Sequence, residues 1–224
     1  MDFQLSFKVN EHLYLKDPET SELGKQIVKE SIDLIHSLGI EHFTFKKLAV
    51  QINTTEATIY RYFENKQKLL LYILNWYWSY MAFLVMLKCQ NINIPEDKLI
   101  TILEILTHDL PERSGLQEYN HKHLNEIIVR ESTKAYLIRE VNELNKEDFF
   151  KPYKALCASI ADVLLECNPS YPYPRSLSST MIETAHAQQF FAEHLPRLTN
   201  VQDLGKREYT YLFLKDLIFK ALAK

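Results

Sequence analysis

The sequence predicts an all-α fold, with an N-terminal three-helix helix-turn-helix domain followed by a larger C-terminal helical bundle that carries dimerisation helices. Three observations predict it. Only four glycines occur in 224 residues otherwise rich in Leu, Ile, Lys, Glu and Tyr, a composition that favours helix over sheet. Apolar residues recur at three-four spacing through most of the chain. Residues Thr44 to Leu70 spell two short helices, a tight turn between them, and a third helix directly after. The length is ample to bury a core. The expected division is an arm over 1–19, a helix-turn-helix domain over 20–66, and a larger helical domain with dimerisation helices over 67–224.

Phe3, Leu5, Phe7 and Val9 alternate with polar residues, a strand signal. Asn10-Glu11 is expected to turn this strand back into His12–Lys16 as a small hairpin. With Lys8 and Lys16 as its only cations, the arm is expected to pack on its own helices and not to reach DNA. Asp17-Pro18 is a helix start that runs through Ile27, Ser31, Leu34, Ile35 and Leu38 to a stop at Gly39. Thr44 caps a helix with Phe45, Leu48, Ala49 and Ile52 on one face. Asn53 sits where the chain must turn sharply in a left-handed conformation. Thr55 caps TEATIYRYF, whose Ile59 and Phe63 face inward, and Asn65 caps the next helix.

That next helix contains 19 consecutive uncharged residues between Lys68 and Lys88, close to the length of a membrane span. Asn75 and Ser79 form a polar stripe on it, its aromatics fill the middle and not the ends, and it starts directly after the preceding short helix, so a membrane span is not expected. Pro95 opens a helix with Leu99, Ile102, Leu103, Leu106 and Leu110, ended by Pro111–Gly115. An interrupted helical stretch over Glu118–Arg139 and another over Asp148–Cys167 follow. Tyr171–Pro174 is a stiff connector. Helices at about 177–195 and 203–223 close the chain. The last is apolar nearly all round, and the small residues Ser178, Ser179, Ala185, Ala187 and Ala192 precede it. The pair is expected to form a four-helix bundle with a second copy of the chain.

The net charge of −3 does not suggest nucleic acid, but its distribution does. Residues 44–68 carry five basic and two acidic side chains, whereas residues 1–43 carry four and eight. Cys89, Cys157 and Cys167 form no CxxC pair and are expected to be free thiols in a reducing cytoplasm. MDFQLSFKVNEH lacks the basic start of a signal peptide. Glu183 and His186 have the spacing of a carboxylate-bridged metal helix but no second such pair, and His121 and His123 point to different sides of a helix. No metal, no cofactor and no catalytic constellation is expected, and the chain is not expected to be an enzyme.

The order Thr44, Leu48-Ala49, a turn, Thr58-Ile59-Tyr60-Arg61-Tyr62-Phe63, Asn65-Lys66 and Leu69-Leu70 resembles the tetracycline-repressor (TetR) family of bacterial transcription regulators. The resemblance covers residues 20–90. The turn departs from the family's Gly-Val-Ser and reads Asn53-Thr54-Thr55, in which Asn replaces Gly and Thr55 caps as Ser would. By this resemblance Tyr60 and Lys66 hold phosphates, and Thr44 with Lys46 holds another. Base reading falls to Glu56, Ala57, Thr58 and Tyr62, and Thr55 and Arg61 complete the DNA-facing set. Tyr72, Trp76, Tyr80 and Phe83, with Phe149, Phe150 and Tyr153, read from the residues as ordinary aromatic core or as the wall of a pocket. The resemblance favours a pocket for a small apolar or aromatic effector. The function implied is a cytoplasmic, homodimeric repressor that binds a palindromic operator in double-stranded DNA and is released by that effector. The alternatives are a DNA- or protein-interaction module of the same fold without an effector-controlled role, and a membrane-tethered helical protein.

Overall fold

The computed structural model describes residues 7–108, 119–136, 139, 141–201 and 205–223. Among these no strand occurs, and the fold is all-α as expected. The helices are α1 (Glu22–His42), α2 (Phe45–Gln51), α3 (Glu56–Tyr60), α4 (Lys66–Cys89), α5 (Pro95–Thr107), α6 (His121–Glu131), α7 (Thr133–Tyr136), α8 (Val141–Lys146), α9 (Lys151–Cys167), α10 (Pro174–His194) and α11 (Lys206–Leu222). Packing divides the chain into two units, one of Met1–Trp78 with Pro111–Lys151, the other of Ser79–Leu110 with Pro152–Lys224. No sequence signal marks the return of residues 119–151 to the N-terminal helices.

In the first unit no hairpin occurs among the described residues of the arm. Phe3 and Leu5 lie outside the described residues, and the expected return strand contains a single 3-10 turn, Glu11–Leu13, capped by Asn10. Val9 and Leu13 are buried four residues apart, Phe7 meets Trp76 edge-on, and Tyr14 meets Tyr72. Phe7 and Tyr14 thus dock on α4, which supplies the cover that a lone hairpin lacks. Asp17-Pro18 opens only another 3-10 turn, Pro18–Thr20, and the long helix starts instead at Ser21, whose hydroxyl accepts from the Gly24 amide.

Helix α1 buries Ile27, Val28, Ile32 and Ile35. At Gly39 the backbone leaves helical geometry with φ 75°, so the stop expected there is real, and Ile40–His42 form one further turn. Helix α6 packs along α1 through a crossed pair of contacts. His36 meets Glu126 at 2.7 Å and His123 meets Asp33 at 2.6 Å, while the two imidazole rings stack 3.9 Å apart. Ser132 separates α6 from α7, the interruption expected in this stretch.

Helix α4 is long and apolar enough to cross a membrane, but 78% of its most apolar window is buried inside the protein. Its first half is held by polar ties as well as packing. Asn75 donates to the Phe149 carbonyl, and Lys68 lies 4.2 Å from the centre of the Phe149 ring.

In the second unit α11 packs on α10 and α5, burying Leu214 and Ile218. Asn168 donates to the carbonyl of Leu222, tying the end of α9 to the end of α11, and Lys98 meets Glu166 at 2.5 Å. Helix α10 begins at Pro174, three residues before the expected Leu177, because Pro at a first helical position needs no amide partner. The expected helix end over Leu110–Gly115 lies outside the described residues. The three cysteines are free, and burial raises all three thiols, Cys167 to about 11. Such thiols are poor nucleophiles and poor metal ligands at neutral pH.

Candidate nucleic-acid interface

Every cap read from the sequence around this interface is present. The Thr44 hydroxyl accepts from the Lys47 amide at the start of α2, Thr55 accepts from Thr58 at the start of α3, and Asn65 accepts from Lys68 at the start of α4. Asn53 adopts φ 52°, the left-handed turn that lets α3 follow α2 at once. Phe45, Leu48, Ala49, Ile52, Ile59 and Phe63 are buried and fix the two short helices against each other. Helix α3 is shorter than expected, ending at Tyr60 with Arg61 as its C-cap.

These caps and core residues leave a polar surface. Thr44, Lys46, Thr55, Glu56, Ala57 and Arg61 are exposed, Thr58 is half-buried, and Tyr60 is 48% exposed with its ring edge-on to Phe45. The side chains of Lys46 and Arg61 have no ion-pair or hydrogen-bond partner among the described residues. Val50, one turn after Lys46 on α2, is also exposed; its exclusion from the Phe45–Ile52 apolar face is the signal that could have marked it.

Two expected DNA contacts sit elsewhere. Tyr62 lies past the end of α3 and is 3% exposed, its ring turned inward. Its hydroxyl shares a 2.8 Å hydrogen bond with Ser21 and accepts from Lys16, and the Ser21 bond brings the phenol below its ordinary range. It joins the arm to α1. Lys66 is half-buried, and its ammonium donates to the carbonyls of Ile40, Glu41 and Phe43 at 2.8, 3.0 and 3.3 Å. Lys47 donates to the His42 carbonyl and Lys68 to that of His12, so three of the five cations in this stretch are engaged within the protein.

The seven aromatic residues read as a possible pocket do not fall in one unit. Tyr72, Trp76, Phe149 and Phe150 belong to the first, Tyr80, Phe83 and Tyr153 to the second. Tyr72 and Trp76 are filled against rather than open. Phe7, Tyr14, Phe63 and Tyr119 pack edge-on to them, and the Tyr72 and Tyr119 hydroxyls both donate to Glu19. Burial raises the Tyr72 phenol far above its ordinary range. Tyr153 donates to Glu183 across α9 and α10. Among the described residues no three His, Cys, Asp or Glu side chains gather in a way that could hold a metal ion.

Two short helices joined by a left-handed turn, the second with its polar face open, are a helix-turn-helix unit of the kind that reads duplex DNA. Residues 27–73 match the family model of bacterial regulatory proteins, tetR family. Solved structures extend the likeness to most of the chain. AibR, in complex with isovaleryl coenzyme A and operator DNA, is 15% identical, with a TM-score of 0.59 over 85% of this chain and 96% of that one. The fatty acid degradation regulator FadR from Bacillus halodurans is 15% identical, with a TM-score of 0.57 over 88% and 97%. A transcriptional regulator from Rhodococcus sp. Rha1 is 14% identical, with a TM-score of 0.59 over 92% and 96%. At these identities the likeness is one of fold alone. No curated protein matches the sequence.

Proposed function

We propose that the chain is a homodimeric transcriptional repressor that binds a palindromic operator and is released from it by a small apolar or aromatic effector. The observation that carries this reading is the exposed face of the helix-turn-helix unit, where Lys46, Tyr60 and Arg61 stand beside Glu56, Ala57 and Thr58 on a rigid, fully capped scaffold. Lys46, Arg61, Thr44, Thr55 and the Tyr60 hydroxyl hold phosphates. Glu56 accepts from a cytosine amino group, and Ala57 and the Thr58 methyl meet thymine methyls. Two copies, joined through residues 177–195 and 203–223, place their α3 helices in successive major grooves about 34 Å apart, or a multiple of that. Release acts through α4, which runs unbroken from Lys66 to Cys89. An effector in the C-terminal region shifts this helix and spoils the spacing, so that effector and DNA weaken each other's binding by the same factor. The AibR structure, with both a coenzyme A thioester and operator DNA, supports a small-molecule effector for this fold and makes acyl thioesters the first panel to screen. The functional division remains arm, DNA-reading domain and ligand-binding and dimerisation domain, over 1–19, 20–66 and 67–224.

The test is selection of duplexes from a random-sequence pool, followed by fluorescence anisotropy with wild type and a Tyr60→Phe, Lys46→Ala variant. The expected result is recovery of a palindrome, salt-dependent binding, and loss of affinity of at least about tenfold in the variant. Equal weak binding of every duplex by both proteins would reject the reading and leave the interaction-module alternative.

A further inference from the structure

We infer that Lys66 is a positioning residue of the DNA-reading unit and not one of its phosphate contacts. The inference rests on the DNA-binding reading above, but it assigns this lysine a different partner from the one its place in the motif suggests. An ammonium has three N–H donors. The three shortest contacts of Lys66 are the carbonyl oxygens of Ile40, Glu41 and Phe43, so its donors are all taken. Lys47 binds the remaining carbonyl of the run, that of His42, at 2.9 Å. Four successive carbonyls at the end of α1 are therefore held by two ammonium groups.

The need for them starts at Gly39. With φ 75° the chain leaves α1 there, and the carbonyls of the following turn have no helix to continue into. Carbonyls at a helix C-terminus carry partial negative charge, which favours a cation beside them. The turn they form leads within one residue to Thr44, the N-cap of α2, and Lys66 is the first residue of α4. The clamp therefore joins the end of α1, the entry to α2 and the start of α4 at one point. Turning Lys66 outward to a phosphate would leave the half-buried carbonyl sites at Ile40 and Phe43, and the exposed one at Glu41, without this donor and free the turn that aims α2 and α3. Lys46 and Arg61, exposed and without side-chain partners among the described residues, are the cations available to DNA.

The two roles differ in their salt dependence. Removing a cation that holds a phosphate makes the slope of log affinity against log salt shallower by about 0.9, equally for every sequence. Removing a positioning residue leaves the slope unchanged and lowers affinity for the selected sequence alone. The experiment compares wild type, Lys66→Met, Lys66→Arg and Lys46→Met by urea unfolding. It then compares their anisotropy on the duplex that wild type selects from a random pool and on a scrambled one, where each protein is fully folded by circular dichroism. For Lys66→Met the expected results are a lower urea midpoint, about tenfold or more weaker binding of the selected duplex, unchanged binding of the scrambled one, and an unchanged slope. Lys66→Arg should fail in the same way, because its planar fork cannot aim three donors at carbonyls 40, 41 and 43, whereas a phosphate site accepts Arg. Lys46→Met should show the opposite pattern, an unchanged midpoint and a shallower slope. A shallower slope for Lys66→Met with equal losses on both duplexes, or full activity in Lys66→Arg, overturns the inference. If Lys66→Met does not fold, Lys66→Arg decides. If wild type selects no duplex, the DNA reading falls, and the urea comparison of Lys66→Met with Lys46→Met still decides whether the clamp exists.

Discussion

Gly24 has no side chain for a reason that lies at Pro18, in the turn before α1. A Cβ built on it would stand 2.3 Å from the Pro18 carbonyl oxygen and 2.6 Å from the Pro18 Cα, both backbone atoms that cannot turn aside. Gly24→Ala should therefore push the arm off α1 and lower stability by about 1–3 kcal/mol, measured by urea unfolding. His186 makes a second prediction. Burial brings its imidazole down to about 4 against 6.5 for the unfolded chain, with Glu183 opposing the shift. Above pH 6.5 both states are neutral and the full stability is present. As pH falls towards 4 the unfolded chain takes up the proton that the native state refuses, so stability falls across that window by up to about 3 kcal/mol. His186→Gln should flatten the dependence, read from urea midpoints at pH 7 and pH 5. The sequence announces neither residue, because neither a close approach nor a burial is a local pattern. Tyr62 and Lys66 depart from their expected places for the same reason. Their partners lie 23 to 46 residues away along the chain.

At the scale of elements, the caps were the most legible part. Thr44, Asn53, Thr55 and Asn65 each act within three or four residues, and each behaves as its type and spacing require. Thr55→Ala should cost about 1 kcal/mol of stability and weaken DNA binding, since the hydroxyl it removes starts α3 and also meets the Thr58 hydroxyl at 2.9 Å. The arm was the least legible. Its alternating pattern is real, but the ring that meets Phe7, Trp76, lies far along the chain, and a period of two fits docking as well as pairing. The junction of α1 and α6 gives another testable quantity. His36 with Glu126 and His123 with Asp33 are half-exposed crossed pairs, so solvent screening limits each, and a double-mutant cycle on either should give a coupling of about 0.5–1 kcal/mol.

At the scale of the whole molecule, helix content and the order of long helices could be read from spacing and Pro positions, whereas the assignment of residues 119–151 to the N-terminal unit could not. The terminal helix keeps Leu212 and Leu217 about 40% exposed, on the segment proposed to meet a second copy. Sedimentation equilibrium should give a dimer for wild type and a monomer for a Leu212→Glu, Leu217→Glu variant that keeps its helical circular dichroism. Helix α4 has a consequence that belongs to synthesis and not to the finished protein. Tyr119, Asn125 and Phe149, which touch its first half, are made well after it, Phe149 some sixty residues later. At about 5–20 residues per second, an uncharged nineteen-residue stretch waits several seconds for its cover. During that interval the ribosome displays what a membrane-targeting factor or a holding chaperone is built to recognise. The consequence is that the yield of folded protein should depend on what meets that stretch before its cover arrives, and not on the stability of the finished fold alone.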